Sequence, residues 1–253
     1  MDTGLLLVLL GVGGGLLSGM LGIGGGIIMT PLLLYVAGLD MRAVAGLTIV
    51  QSLFSALSGV LIHRKFKHVH WGLLAYMGPT TLAASLAGAL VSRYVSGHLL
   101  LGLFAALAFV AAVVMLVPCK EGDGEATSDT VSFNRWLALG VAGSVGFVGG
   151  MVGQSGAFIL IPMMLQVLRV PTRVTIGTSL GVILCAAAAG TAGKVLTGQV
   201  PYGLTGALVF GTLVGAHAGA RLSHKIPTRS LRAALALLIA LSAARMWWDV
   251  LHS

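Results

Sequence analysis

Glycines at positions 22, 24, 25 and 26 break an otherwise apolar run, and Pro31 follows them. The arrangement returns past the middle of the chain as Gly153, Gln154, Ser155 and Gly156, followed by Pro162. Without a Cβ, glycine lets the backbone bring its N–H groups directly against a ligand. A helix that restarts after such a break begins with N–H groups that have no partner in the helix, and with the positive end of its dipole. Together these make an anion cradle. The plainer alternative is that the glycines only let helices pack closely. A cluster repeated at constant spacing and followed by proline favours the cradle.

Polar side chains lie close by in sequence. Thr48, Gln51 and Ser52 stand at i, i+3 and i+4, so they share one face of a helix. Thr178 and Ser179 lie on the corresponding segment of the second half. Such a face either lines a polar pathway or makes interhelical hydrogen bonds, and the residue types fit both. His217 is the titratable group well inside an apolar segment, with Arg221 one turn later. It reads as a proton or pathway group, or as a neutral histidine near the interface. Lys194 and His63 occupy equivalent positions at segment ends and are expected to snorkel.

The acidic residues are Asp2, Asp40, Glu121, Asp123, Glu125, Asp129 and Asp249, all at ends or connections. With no carboxylate mid-segment, neither a carboxylate proton relay nor a cage for a cation is expected, which points to an anion. Cys119 and Cys185 make no metal spacing. The glycine stretch has no Walker lysine and no strand before it, which excludes a nucleotide loop. No enzyme constellation, metal site or cofactor is expected, so any transport is gradient-driven or passive.

Composition fixes the solvent. The chain has 253 residues, 57% hydrophobic and 9% charged, where a soluble domain has about 25% charged. So little charge does not cover a water-facing surface, and the apolar runs are continuous, so the expected class is an all-α integral membrane protein. The net charge of +8 does not imply nucleic acid, because the basic residues sit in short connections. The Met1-Asp2-Thr3 start lacks a basic n-region, so the first apolar segment is expected to be retained.

Residues 4–37 are too long for one span and divide at the glycines. Further spans are expected at 43–62, 71–92 and 97–117. Residues 118–134 are polar, hold four of the seven acids and read as a linker. The second half runs 136–168, broken at 153–156, then 174–196, 201–220 and 230–250. Gly46 and Gly177, Arg42 and Arg173, Gly59 and Gly190, Gly88 and Gly219 all keep the offset of 131 that relates Pro31 to Pro162. The chain is thus a duplication: an N-terminal repeat (1–117), a linker (118–134) and a C-terminal repeat (135–253), each of about four helical segments, the first one broken or a hairpin.

Basic residues accumulate on the cytoplasmic side and so set orientation. If each overlong segment crosses once, the halves are parallel, and with 63–70 inside the basic residues divide eight outside against seven inside. If each is a hairpin, the halves are inverted, and eleven fall inside while Arg42, Arg93, Lys194 and Arg245 fall outside. The count favours inverted repeats with both termini extracytoplasmic.

At its duplicated glycine–proline segment the chain resembles the sulfite exporter TauE/SafE family, also called the toluene sulfonate uptake permease group. The resemblance is carried by Gly19-Met20-Leu21-Gly22-Ile23-Gly24-Gly25-Gly26 running to Pro31-Leu32-Leu33, and by the copy at Gly149–Pro162 followed by Ile176-Gly177-Thr178-Ser179. Gln154 and Ser155 depart from a plain glycine run. The resemblance implies a secondary transporter in the cytoplasmic (inner) membrane for small sulfur-containing anions such as sulfite, thiosulfate, sulfoacetate or other sulfonates. It does not choose among these anions, or between import and export. A passive anion channel and a non-transporting scaffold are the alternatives. Expected partners are the anion and the lipid bilayer; small residues on many faces leave room for a homo-oligomer without specifying one.

Overall fold

The computed structural model describes residues 3–65, 68–116, 133–223 and 225–252. Most of the expected 118–134 linker lies outside the described residues. Ten α-helices follow in order: α1 (Thr3–Leu21), α2 (Gly26–Tyr35), α3 (Met41–Lys65), α4 (Trp71–Val91), α5 (Gly97–Leu116), α6 (Arg135–Val152), α7 (Ala157–Gln166), α8 (Thr172–Leu196), α9 (Tyr202–Ser223) and α10 (Thr228–His252). Among the described residues there is no strand. Within the described residues seven helices are long and apolar enough to cross a membrane, while α2 and α7 are short apolar helices of 10 residues each. This is an all-α, multi-pass architecture.

The second half retraces the first element by element. α3 and α8 both have 25 residues, and α2 and α7 both have 10, at the offset of 131 read from the prolines. Left-handed backbone recurs at that offset: Gly22 and Gly153 (φ 74° and 85°), Gly24 and Ser155 (66° and 54°), Gly25 and Gly156 (79° and 67°), Gly38 and Arg169 (66° and 54°). Helix starts are set locally. The Asp40 carboxylate accepts from the N–H groups of Arg42 and Ala43, His70 Nδ1 from Leu73, and Asn134 Oδ1 from Trp136 and Leu137. Each side chain satisfies N–H groups that a helix leaves open at its first turn.

α3 and α8 are buried along most of their length and form the centre. They run antiparallel: Gly46 lies against Gln199, Ile49 against Gly190, and Gly59 against Leu180. Around them the halves interlock. α1 lies parallel to α9, with Gly11, Gly15 and Gly19 facing Leu208, Thr212 and Ala216, and Gly211, Gly215 and Gly219 facing Val8, Val12 and Leu16. α4 and α6 pair in the same way through Gly88, Gly146 and Gly150. A Cβ at Gly15 would sit 2.5 Å from the Thr212 carbonyl oxygen, closer than atoms pack, so these seams require glycine.

The two overlong segments are hairpins. α2 turns back along α1: Gly14 faces Met29, and Leu7 packs with Met29, Leu33 and Val44. The turn falls beside Ser52, mid-way along α3.

The left-handed positions give a test with opposite signs. Gly38 has open space around its Cβ position, so Gly38→Ala meets only the backbone penalty and destabilises by about 1 kcal/mol. Exposed Arg169 already bears that penalty, so Arg169→Gly stabilises, by about 0.5 kcal/mol once the glycine's chain entropy is subtracted. Thermal unfolding of the purified variants reads both.

Candidate functional site at the two hairpin tips

The tips at 22–25 and 153–156 meet in the centre. A Cβ on Gly24 would lie 3.5 Å from the Ala157 Cβ, and one on Gly26 would lie 2.9 Å from Gln154 Oε1. Gln154 Nε2 donates to Thr30 Oγ1 across the junction of the halves. Both short helices start here, with Gly25 and Gly156 as N-caps and no side-chain cap on either. Among the described residues the N–H groups of Ile23 to Ile27, and of Ser155, Gly156 and Phe158, make no close hydrogen bond to a backbone carbonyl outside the regular helices. Two helix N-termini thus open onto one spot from opposite halves, each with its positive dipole end.

Each tip is braced by the other half. Thr48 Oγ1 donates to the Gly153 carbonyl at 2.9 Å, and Ser179 Oγ donates to the Gly22 carbonyl at 3.1 Å. Thr48 and Ser179 stand at the repeat offset, so this is one interaction made twice. Ser52 Oγ donates to the Gly24 carbonyl at 2.9 Å. These hydroxyls satisfy three of the tip carbonyls from α3 and α8.

The other expected site residues divide between those with hydrogen-bond partners and those without. Thr178 Oγ1 accepts the His70 N–H at 2.9 Å, which ties it to the start of α4. Gln51, Gln154 and Ser155 are fully or almost fully buried at 0%, 1% and 2% exposure. Gln51 Nε2 and Oε1, Gln154 Oε1 and Ser155 Oγ have no hydrogen-bond partner. An orphaned buried polar group costs about 1–3 kcal/mol. Gln51 leans on Gly25, where a Cβ would collide with its Nε2. Ser18, Ser55 and Thr30 belong to the same buried polar centre and were not singled out from sequence; Ser18 Oγ and Ser55 Oγ are hydrogen-bonded. Ser55 extends the face of Thr48, Gln51 and Ser52 by one more turn, a signal that was present in the spacing.

His217 and Arg221 are exposed on α9, while the buried face of that helix is Gly211, Thr212, Gly215, Ala216 and Gly219; they do not reach the tips. Lys194 and His63 do not snorkel, being 0% and 1% exposed. Lys194 Nζ donates to Met151 O at 3.2 Å and His63 Nε2 lies 3.4 Å from Gly19 O. Each therefore sits at the C-terminal end of a hairpin's first helix, where the dipole favours a cation. Among the described residues no group of histidine, cysteine or acidic side chains is placed to hold a metal.

A duplicated bundle of apolar helices, with paired hairpins meeting in a buried polar centre, is the construction of a multi-pass membrane transporter. The comparisons with known proteins bear on which kind. The family profile described as sulfite exporter TauE/SafE matches residues 7–246, and the chain belongs to that family. It is similar to the probable membrane transporter protein YunE of Bacillus subtilis, 23% identical over 272 aligned positions covering 98% of this chain and 99% of the relative. It is also similar to the probable membrane transporter protein YdhB of the same organism, 27% identical over 243 positions covering 94% of each. A probable membrane transporter protein of Xylella fastidiosa is 27% identical over 178 positions, 69% of this chain and 68% of the relative. No solved structure matches. These relatives are named as transporters, not enzymes.

The braces predict matched effects. Thr48→Val and Ser179→Ala each remove one hydroxyl from a buried tip carbonyl, and each lowers stability by about 1–2 kcal/mol in thermal unfolding. Equal losses are expected, because the two bonds are counterparts.

Proposed function

We propose that this chain is a secondary transporter of small sulfur-containing anions, such as sulfite, thiosulfate, sulfoacetate or another sulfonate, working by alternating access in the cytoplasmic membrane. The observation that carries the proposal is the meeting of two uncapped helix N-termini, with the unpartnered Gln51 amide against the first. The anion sits against the free N–H groups of Gly24, Gly25 and Gly26 on one tip and of Ser155 and Gly156 on the other. Gln51 Nε2 and Ser155 Oγ add neutral donors. Backbone dipoles replace charged side chains here, so the site attracts an anion and holds no fixed positive charge to retain it. Burial of Gln51, Gln154 and Ser155 supports a carrier over an open channel, whose conducting groups would be exposed.

The halves are taken as inverted across the membrane, with both termini extracytoplasmic. The antiparallel course of α3 and α8 supports this, as does the sharing of one cavity by Arg42, Arg93 and residues 197–201. If each overlong segment crossed once, residues 197–201 would stand on the opposite side from Arg42 and Arg93. A C-terminal alkaline phosphatase fusion is expected to be active and a C-terminal cytoplasmic reporter inactive; the reverse pattern overturns the orientation.

The transport reading is tested with proteoliposomes and radiolabelled sulfite and thiosulfate. At least one is expected to accumulate in response to an ion gradient and to saturate. Gln51→Leu keeps the volume but removes the amide, and initial uptake is expected to fall at least about tenfold, the scale of one lost hydrogen bond to a charged ligand. Gly25→Leu and Gly156→Leu obstruct the tips and abolish uptake. Wild-type rates in all three variants would rule the tips out as the site.

A further inference from the structure

A cavity of about 400 Å³ opens at the end of the bundle where α3 begins and α8 ends. Arg42, Arg93, Thr197 and Gln199 line it. Both arginines are exposed at their helix ends, and neither meets a carboxylate among the described residues. Arg42 Nη2 donates to the Val95 carbonyl at 2.9 Å. The Arg93 guanidinium lies 4.4 Å from the centre of the Tyr94 ring and donates to its hydroxyl. Asp40, two residues from Arg42, turns its carboxylate to the α3 backbone.

Behind Gln199 stands Lys194, fully buried. Its Nζ donates to Gln199 Oε1 at 2.9 Å, to Ser92 Oγ at 2.7 Å and to Met151 O at 3.2 Å. Gln199 Nε2 in turn donates to Thr197 Oγ1 at 2.7 Å. A buried ammonium with only neutral acceptors is costly to keep, and inside a membrane bundle it marks a pathway. Met151 is two residues before Gly153, so the chain of contacts runs from cavity wall to second tip. Three of the four basic residues that the charge count leaves on the extracytoplasmic side, Arg42, Arg93 and Lys194, converge here. Basic residues are disfavoured on that side, and their convergence gives them a common reason to be there.

We propose that this cavity is a second anion-binding site, a vestibule that recruits the oxyanion at Arg42 and Arg93 and passes it by way of Gln199 and Lys194 towards the tips. The proposal extends the transport reading, since its cargo is the anion bound at the tips. Two guanidinium groups offer forked donors to an oxyanion. Being exposed, they act mainly by raising the local anion concentration, an effect that salt screens.

The probe for binding is sodium sulfate on the purified full chain, with thermal unfolding as readout and sodium chloride at matched ionic strength as reference. Arg42→Gln/Arg93→Gln removes the charge at surface positions, and Arg42→Lys/Arg93→Lys restores it. Gln51→Leu disables the tips alone. Sulfate is expected to stabilise the wild type and Gln51→Leu more than chloride does. Half-saturation is expected to rise about tenfold in the double glutamine variant and to recover with lysine. In sulfite uptake the double glutamine variant is expected to show a KM about fivefold to tenfold higher at low salt, kcat within about twofold, and a gap that closes near 0.5 M salt. The vestibule is overturned if sulfate stabilises no more than chloride, or if the double glutamine variant keeps both wild-type half-saturation and wild-type KM. Loss of sulfate stabilisation in Gln51→Leu alone would place the anion only at the tips, sinking the vestibule and sparing the transport reading. Normal uptake by Gln51→Leu with a raised KM in the arginine variant would do the opposite.

Discussion

Unsatisfied backbone polar groups are costly in hydrocarbon, so a broken helix inside a membrane must be enclosed by protein. This chain encloses two of them with each other. The carbonyls of Gly22 and Gly153 take their hydrogen bonds from Ser179 and Thr48 of the opposite half. The two helix N-termini at the tips carry no side-chain cap. Cross-bracing therefore explains the central placement of the hairpins, the buried hydroxyls on α3 and α8, and the glycine seams that bring four outer helices close enough to wall the centre off. Without the braces the breaks would be defects, and with them they become two facing sets of donors.

Much of this was legible from residue types at fixed spacing. The offset of 131 between Pro31 and Pro162 located matching segments and matching breaks, and the structure adds a left-handed turn at Gly38 and Arg169 at the same offset. Glycine and proline fix backbone conformation, and the backbone is what the duplication preserves. Burial was harder to read, because in an apolar chain almost every helix face is hydrophobic and a polar residue's neighbours decide its exposure. His217 shows the difficulty and a remedy. Gly211, Gly215 and Gly219 mark one face at intervals of four, and His217 lies off it, so the stripe identified the packed side even though the histidine drew attention first. Lys194 was misplaced for a different reason: its acceptors Ser92, Met151 and Gln199 come from three separate parts of the chain.

The duplication also shows where the halves have diverged. Arg42 donates to the Val95 carbonyl and Arg173 to the Ile226 carbonyl, the same bond at the same offset. Beyond those arginines, Lys194 and Gln199 on one side correspond to His63 and His68 on the other. His68 is held below the ordinary histidine pKa, chiefly by burial and further by the charge of Arg173. One end of the central pair thus carries a lysine and an amide where the other carries two imidazoles. Sequence symmetry with chemical asymmetry suits a device whose two ends face different solutions.

The parallel seams between α1 and α9, and between α4 and α6, have a mechanical consequence. Each joins a helix of the first half to a helix of the second with the backbones in close approach at glycines. Rocking the two repeats against each other as blocks would have to part both seams, although the gene is built from those repeats. The stiff pieces are mixed pairs, each drawing one helix from either half. A movement along the boundaries between such pairs would leave both seams intact, and the units it displaced would not be the units of inheritance.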